Sequence, residues 1–562
     1  VIVLGLIGRS DRTWSHDAAA CLVVDGVMVG ALEQERISGR RHAMGESADD
    51  AALALLTAHG LTPADVDAVG YAWGAPAEED IRRLGSPLPG DVAVSPDHIA
   101  GVLPSLGDRL RSREVMFFDH HLCHAAQTYY MNPHATADVL VLDGSGGDCS
   151  TSLFHVRDGD FRLLERHAAK HSLGILYEAA AYYANMGWNA AGKLMGLASY
   201  AAPSGRRLMT FDSATGAFGF EPGSPMPARL TSEDGDEIAK AWLGMFEEQV
   251  FPYSGRSGNV FDYAGFAADV QLTLEELGLS LAERLHRLSG ADQLLLSGGV
   301  ALNAHMNRRI AEAGWYRGVA GTVAPHDGGT AVGAAMLTAA TLGEPVRPWS
   351  TEAGLPVMLG PAPGPLPAGL VADLGAAAVR TEPDKVRSEA VDVLARGGVV
   401  AWFDGPAEFG PRALGARSLL ADPSRRETLD RINRIKGRAP WRPAALSMTA
   451  EGFTGLGLAE PLPGLSEYML CAHPVAERGR RAAAAGVHVD GTTRAQLVPS
   501  GTSFGLLLDE FGATTGAAPA LINTSLNTRG EPMVLYADQA VALMKECPEV
   551  DLLVTPEYLV RR

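Results

Sequence analysis

The chain opens on an apolar run at residues 1–5. After a polar loop it continues with apolar runs at 20–24 and 27–33 on either side of Asp25-Gly26. This pattern predicts a strand followed by a hairpin with an Asp-Gly turn. The same order returns at 139–142, with 152–156 and 160–164 flanking Asp158-Gly159. A strand, a loop and a hairpin, met twice, predict two like subdomains. Between them, residues 115–118 predict a buried strand and 125–130 a helix. Further on, 293–297 predict a strand that runs into Gly298-Gly299 and a helix, and 323–330 lead into a helix of small residues, 331–342. The density of Pro345, Pro348, Pro356, Pro361, Pro363, Pro365 and Pro367 predicts an extended linker over 346–370, because proline breaks both helix and strand. That linker divides a domain 1–345 from a domain 371–562. In the second, 398–403, 520–522 and 551–554 predict strands, with loops rich in Arg, Ser and Asn.

Composition narrows the function classes. The 562 residues are 46% apolar and 20% charged, which is ordinary for a globular chain large enough for several cores. Net charge is 47 minus 66, or −19, so neither nucleic acid nor an anionic membrane is the expected partner. Cys21, Cys123, Cys149, Cys471 and Cys547 are scattered without a CxxC pair, which argues against a disulfide framework and a cysteine zinc site. The apolar start lacks a basic segment and a cleavage site, so a strand is expected there and not a signal peptide. No apolar run nears the roughly 18 residues of a membrane span. The expectation is a soluble, cytoplasmic protein; oligomeric state is not encoded.

Candidate chemistry sits at the strand ends, where α/β folds place it. In Asp119-His120-His121-Leu122-Cys123-His124, His120 and His124 are four apart. On a helix they share one face and can hold one divalent metal; three histidines capping a helix would use the same pattern. Asp143, in Asp143-Gly144-Ser145-Gly146-Gly147, can meet a metal directly or through water. His16, beside Asp17, is a candidate base or a turn residue. Asp327, at a loop-to-helix junction, suits a helix N-cap. Gly298-Gly299 would let a backbone approach a phosphate or an adenine, and Lys193 suits a phosphate contact or a helix surface. Two C-terminal loops, 409–418 and 523–532, carry Arg412, Arg417, Ser418, Asn523, Ser525, Asn527 and Arg529, with Lys436 and Arg442 between them. Guanidinium forks with Ser and Asn suit phosphate; salt bridges to the chain's carboxylates are the competing use.

The repeated strand and hairpin resemble the duplicated fold of actin, sugar kinases and chaperone ATPases. Eight segments in order also resemble the NodU/CmcH family of O-carbamoyltransferases: His16 to Ala19, Asp119 to Ala126, Val141 to Gly144, Gly192 to Ala198, Gly298 to Asn303, Gly410 to Ser418, Trp441 to Pro443 and Asn523 to Pro532. The resemblance implies an α/β protein with a duplicated actin/sugar-kinase-like N-terminal domain, similar to the metal-binding subunit that makes threonylcarbamoyladenosine in tRNA, and a C-terminal YrdC-like α/β domain. It implies that Mg-ATP and carbamoyl phosphate meet on the C-terminal set to form carbamoyl adenylate, releasing pyrophosphate and phosphate. His120, His124 and Asp327 would bind a divalent metal, for which iron(II) suits two His and a carboxylate and zinc or manganese stay open. Asp143 would be a nearby catalytic group and His16 the base. Lys193, Gly298, Gly299 and Asn303 would contact nucleotide in the N-terminal cleft. Pro406-Ala407-Glu408-Phe409 and Ala444-Ala445-Leu446 depart from the family pattern.

The expected acceptor is a small-molecule hydroxyl on a natural product, as in antibiotic tailoring. Aromatic residues between 208 and 266 suit a local core. Where exposed they would favour a macrolide, a polyketide or its sugar, whereas Glu233, Asp234, Asp236, Glu237, Glu247 and Glu248 would suit a cationic aminoglycoside. The expectation leans to the polyketide or its sugar. A tRNA threonylcarbamoyl transferase-like enzyme and a nucleotide-gated interaction module of the chaperone ATPase type are the alternatives.

Overall fold

The two halves anticipated from the strand-and-hairpin repeat are two five-stranded sheets of one topology. A computed structural model describes residues 1–9, 15–73, 106–110, 113–249, 258–347, 349 and 355–562. The first sheet holds β1 (Ile2–Ile7), β2 (Ala19–Val24), β3 (Val27–Glu33), β4 (Ala68–Tyr71) and β5 (Glu114–Phe117), in the order β3-β2-β1-β4-β5. The second half begins with β6 (Thr136–Leu142), β7 (Cys149–Arg157) and β8 (Asp160–Ala168). A small hairpin follows, β9 (Met209–Asp212) and β10 (Ala217–Phe220), and then β11 (Gln293–Ser297) and β12 (Gly318–Ala320). Its sheet order, β8-β7-β6-β11-β12, repeats the first. In each sheet the leading strand pairs antiparallel with a hairpin on one side and parallel with a crossover strand on the other.

Two helices cross between these sheets. One, His120–Tyr130, follows β5, and all of its residues are buried. The other, Thr330–Thr341, follows β12 and is built mostly of Ala, Gly, Val and Thr. Small residues let the backbones meet. A Cβ on Gly333 would lie 1.9 Å from Cys123 O, and one on Gly5 of β1 would lie 2.0 Å from Ala331 O.

The C-terminal domain is a nine-stranded mixed sheet. It comprises β13 (Ala378–Arg380), β14 (Val399–Phe403), β15 (Arg417–Ala421), β16 (Ala445–Met448), β17 (Ala472–Pro474), β18 (Thr492–Leu497), β19 (Ala520–Ser525), β20 (Leu552–Val554) and β21 (Tyr558–Arg561). Their order is β13-β21-β20-β14-β15-β19-β16-β18-β17. Side chains alternate between its faces. Val400, Trp402, Leu420 and Leu521 pack under the helices Pro383–Ala395 and Ser503–Thr515, while Ala401, Leu419 and Ile522 pack under Arg426–Ile435 and Ala537–Glu546. This is the α/β class expected, a duplicated N-terminal domain followed by a second α/β domain.

The linker expected over 346–370 is different where it is described. Val357 and Leu359 are buried, so the segment is anchored, and its backbone pairs to both sides. Ala31 N donates to Leu359 O, Phe409 N to Val357 O and Gly360 N to Ala407 O, each at 2.9 Å. It is a strap between domains, and a helix, Ala368–Leu374, begins within its end. The joint is further tied by a buried pair, Glu33 and Arg36. Glu33 Oε1 accepts from Gly410 N at 2.9 Å, and Arg36 Nη2 donates to Gly410 O at 2.5 Å.

Candidate functional site

The helix His120–Tyr130 starts on Asp119, whose carboxylate accepts from Leu122 N at 2.9 Å and is paired with Arg166. That cap aims the first turn at the end of β6. His120 Nε2 lies 3.5 Å from Asp143 Oδ2 and 3.6 Å from Asp327 Oδ1; His124 Nε2 lies 3.9 and 3.6 Å from the same two oxygens. All four donors fall within 4.8 Å of one another. Ligands about 2.1 Å from a tetrahedral ion stand about 3.4 Å apart, so the set is spaced to enclose one. His120 Nδ1 lies 3.1 Å from Ala72 O. As a donor there it leaves the Nε2 lone pair facing the carboxylates, the outer-shell arrangement that orients a metal-binding imidazole. Both Nε2 atoms are buried without a hydrogen-bond partner. The donor chemistry therefore fits a divalent cation.

The structure thus joins His120, His124 and Asp327, as expected, and revises Asp143. Asp143 stands in the donor set itself rather than beside it. Burial and the charge of Asp327 push its carboxyl up, but in the metal-free protein protonated His120 and His124 prevail and hold it at about 2. Asp327 is likewise held low against burial by His120 and His124. Asp327 is also more than a cap, because the helix behind it starts at Thr330.

His16 lies at the rim, its Nδ1 3.1 Å from Asp17 Oδ2 and 4.0 Å from Asp327 Oδ2. Burial alone would lower its pKa; the Asp17 hydrogen bond and the charges of Asp327, Asp17 and Asp143 raise it to about 10. Asp17 also meets His42 Nδ1 at 2.9 Å. One carboxylate therefore fixes two imidazoles, a role the sequence pattern did not reveal.

The four residues expected at an N-terminal nucleotide site have different local partners. Gly298 has φ 86° and a Cβ there would lie 2.1 Å from Leu142 O, so backbone and space both require glycine, and Gly299 N donates to Asp143 Oδ1 at 3.3 Å. Asn303 caps the helix Ala304–Glu312 and exchanges two hydrogen bonds with Gln271, each 3.0 Å. Its side chain is engaged. Lys193 faces the C-terminal domain, among the charges of Arg442, Arg41 and Arg529, and these together with burial lower its pKa.

The C-terminal loops form a second site. Arg412, Arg438 and Arg494 each keep a buried nitrogen without a partner. Burial and neighbouring cations push Arg412 well down, Arg438 to about 9 and Arg494 to about 10. Burial and the charges of Arg438, Arg41 and Arg442 also lower Lys436, which donates to Ser525 O at 2.7 Å, Ser525 Oγ at 2.9 Å and Asn527 O at 2.9 Å. Arg442 is lowered by burial and by Arg41. Among the described residues none of these cations stands in an ion pair, although Glu531 acts on Lys436 from the rim. Asn523 Nδ2 donates to Ala413 O at 3.1 Å and Ser447 Oγ at 2.8 Å, and its Oδ1 is unpartnered, as is Ser418 Oγ. Ser418 pairs with Ser525 across β15 and β19, and Gln496 with Ser447 across β18 and β16. Two residues before Gln496, Arg494 shares that polar face. Arg529 stands at the edge, its side chain against Gly437.

Arg417 does not join them. Strand alternation puts it on the opposite face from Ser418. Its guanidinium lies 3.9 Å over the Phe403 ring, and Nη1 donates to the carbonyls of Asp404, Gly405 and Ala416. Glu408, in the segment that departs from the family pattern, shapes the loop. Its Oε1 accepts from Leu414, Ala416 and Arg417 N at 2.8–3.0 Å. Arg41, Arg438 and Arg494 were not anticipated, since no motif contains them.

The aromatic residues before 267 are mostly core, with Phe211, Trp242, Phe246 and Tyr263 buried and Phe261 exposed. Phe251 and Tyr253 lie outside the described residues. No described helix is long and apolar enough to cross a membrane.

With a two-His, two-Asp centre and a basic cradle in view, the relationships to known proteins fall into place. Residues 99–336 match the carbamoyltransferase N-terminus family and 391–562 the carbamoyltransferase C-terminus family. Nodulation protein NolNO of Sinorhizobium fredii is 30% identical over 98% of this chain and 80% of its own. Nodulation protein NolO of Bradyrhizobium diazoefficiens is 31% identical over 79% of each. The chain belongs to the carbamoyltransferase family. Full-length HypF, a solved structure, aligns over 62% of this chain and 47% of its own at 13% identity and a TM-score of 0.34, too loose to carry an argument.

Proposed function

We propose that the protein is an ATP-dependent O-carbamoyltransferase that draws its carbamoyl group from carbamoyl phosphate and transfers it to a hydroxyl of a small natural product. The observation that carries this is the cradle of Arg412, Lys436, Arg438, Arg442 and Arg494. It gathers several half-buried like charges that lack ion-pair partners among the described residues, a costly arrangement unless an anion completes it. Carbamoyl phosphate would lose phosphate with water, the carbamate oxygen would attack the α-phosphorus of Mg-ATP, and pyrophosphate would leave, giving carbamoyl adenylate. Asn523, Ser418 and Ser525 would orient the carbamoyl and phosphoryl oxygens. Arg417, on the other face, would support the loop.

Transfer belongs to the N-terminal centre. His120, His124, Asp143 and Asp327 would hold the cation, with iron(II), zinc and manganese all compatible with the donors. Bound there, it would supply Lewis acidity toward a carbonyl oxygen. With a cation held by Asp143 and Asp327, two of the charges that raise His16 would be offset, and His16, fixed through Nδ1 by Asp17, would then accept the acceptor's hydroxyl proton at Nε2, a contribution of about 10²–10⁴ in rate. The attacked carbon would release AMP. The burial of most aromatics between 208 and 266 removes the ground for preferring a polyketide or its sugar over a cationic acceptor, and a cytoplasmic location fits the substrates.

The test is to incubate the full chain with ATP and carbamoyl phosphate but no acceptor, reading pyrophosphate and the mass of carbamoyl-AMP. Release that needs carbamoyl phosphate, is lost in Arg412→Ala and survives in His120→Ala supports two separate sites. Absence of carbamoyl phosphate dependence in the wild-type protein refutes the reading.

A further inference from the structure

Two cations at the cradle come from the other domain. The helix Ala191–Ala198 lies over the Trp441-Arg442-Pro443 turn. A Cβ on Gly196 would sit 3.5 Å from Trp441 and 3.7 Å from Pro443, and Tyr200 Oη donates to Trp441 O at 3.0 Å. Lys193, three residues before Gly196, is on the same helix face. Its ammonium donates to Met186 O at 3.0 Å; Glu178 acts on it from beyond ion-pair distance. Arg41 comes from the same domain, on a turn where His42 and Ala43 hold left-handed φ values of 63° and 42°. That conformation is costly for residues with a Cβ. It is held by Asp17, whose N–H donates to His42 O at 2.6 Å and whose carboxylate meets His42 Nδ1. Arg41 is exposed, without an ion pair among the described residues, and its charge acts on Lys193, Arg412, Lys436 and Arg442. Strained backbone that brings one more cation to a cationic mouth calls for an anion there. An anion that touches both the half-buried arginines of the C-terminal loops and the exposed Arg41 has to reach from one domain to the other.

We propose that Arg41 and Lys193 complete the phosphate site from the N-terminal domain, so that its ligand is a chain of phosphates touching both domains, a triphosphate or pyrophosphate, and not a single phosphoryl group. The inference deepens the ATP-dependent reading and rests on it for the reaction, though not for binding. It also links the two centres, because the turn that offers Arg41 is braced by the carboxylate that holds His16.

Calorimetry on the full chain with inorganic pyrophosphate and, separately, orthophosphate tests it, using wild type, Arg41→Ala, Lys193→Ala and Arg41→Lys, with thermal melts to confirm folding. Losing one charge-assisted contact should weaken pyrophosphate about tenfold or more in each alanine variant, change orthophosphate less than twofold, and be partly restored in Arg41→Lys. Wild-type protein that ignores pyrophosphate, alanine variants that bind it normally, or equal losses for both anions would overturn the proposal. Carbamoyl phosphate-dependent pyrophosphate release, measured on the same preparations, separates the two readings. Binding as expected without release removes the reaction and keeps the site. Release with unaltered binding in the variants does the reverse.

Discussion

Gly333→Ala should damage the metal centre without touching a ligand. Gly333 lies in the first turn of the helix that follows Asp327, against the backbone of Cys123 in the helix that carries His120 and His124. The added Cβ would stand 1.9 Å from Cys123 O, 2.7 Å from its C and 2.8 Å from its Cα. An ordinary contact begins near 3.4 Å, so relief needs 3.4 − 1.9, about 1.5 Å of separation between two fully packed backbones. Overpacking of this kind costs about 1–3 kcal/mol, and a clash with backbone rather than a flexible side chain belongs at the upper end. At roughly 2.1 cal/mol/K per residue, an N-terminal domain of about 340 residues would lose about 4 °C in Tm. The larger effect is on the donor set. A metal site tolerates about 0.2 Å in its ligand distances, and the displacement moves both imidazoles away from Asp327. Equilibrium dialysis against Mn²⁺, with melts on the same samples, should show metal affinity reduced at least tenfold alongside a modest Tm loss. Gly265→Ala, also in a helix but with nothing within 4 Å of the new Cβ, is the control and should gain about 0.5–1 kcal/mol. Native Mn²⁺ affinity and an unchanged Tm in Gly333→Ala would refute the argument that this crossing sets the donor spacing.

The two cradle-loop arginines should part company. Arg412→Ala should abolish carbamoyl phosphate-dependent pyrophosphate release while leaving Tm unchanged or raised, because it removes a buried unpaired charge repelled by Arg494, Arg442 and Arg41. Arg417→Ala should instead lower stability by about 1–3 kcal/mol, since it removes the Nη1 hydrogen bonds to three carbonyls and the contact with the Phe403 face, although Nε and Nη2 have no partner; urea melts of both variants decide it. Glu408→Ala should raise KM for carbamoyl phosphate in the same assay, by freeing three N–H groups that shape the loop. His473 governs a pH effect. Burial and then the charge of Arg308 lower its pKa from 6.5 to about 4, so the folded state prefers it neutral. Stability is full above about pH 6.5 and falls as pH drops towards 4, by at most about 3 kcal/mol. His473→Phe should flatten that slope in urea melts at pH 7 and 4.5, and a slope equal to wild type would count against it.

Much of the N-terminal centre was legible because local geometry carries it. His120 and His124 are one helical turn apart, Asp143 directly follows a strand and Asp327 stands where a loop meets a helix, so spacing and element-end logic reach them. What spacing could not decide was how near Asp143 comes, which depends on β6 lying beside β11 and opposite the helix from the other half. The cradle was less legible. Arg417 and Ser418 are neighbours in one loop motif, yet strand alternation sends them to opposite faces. Arg494 belongs to no motif and reaches the site only because β18 pairs with β16. The proline-rich stretch looked like a spacer since proline denies regular structure, but Val357 and Leu359 supply an anchor that a proline count does not register.

The mirrored halves share the donors unequally. The first half lends two imidazoles, on the helix after β5, and the second lends two carboxylates, after β6 and before the helix Thr330–Thr341. Neither half alone can bind a cation well. A bound ion is therefore a gauge of assembly. The centre is complete only when both halves have folded and docked, so it forms late. Chelation should first loosen the seam between the halves, seen as faster amide exchange in the two crossing helices, before either sheet comes apart.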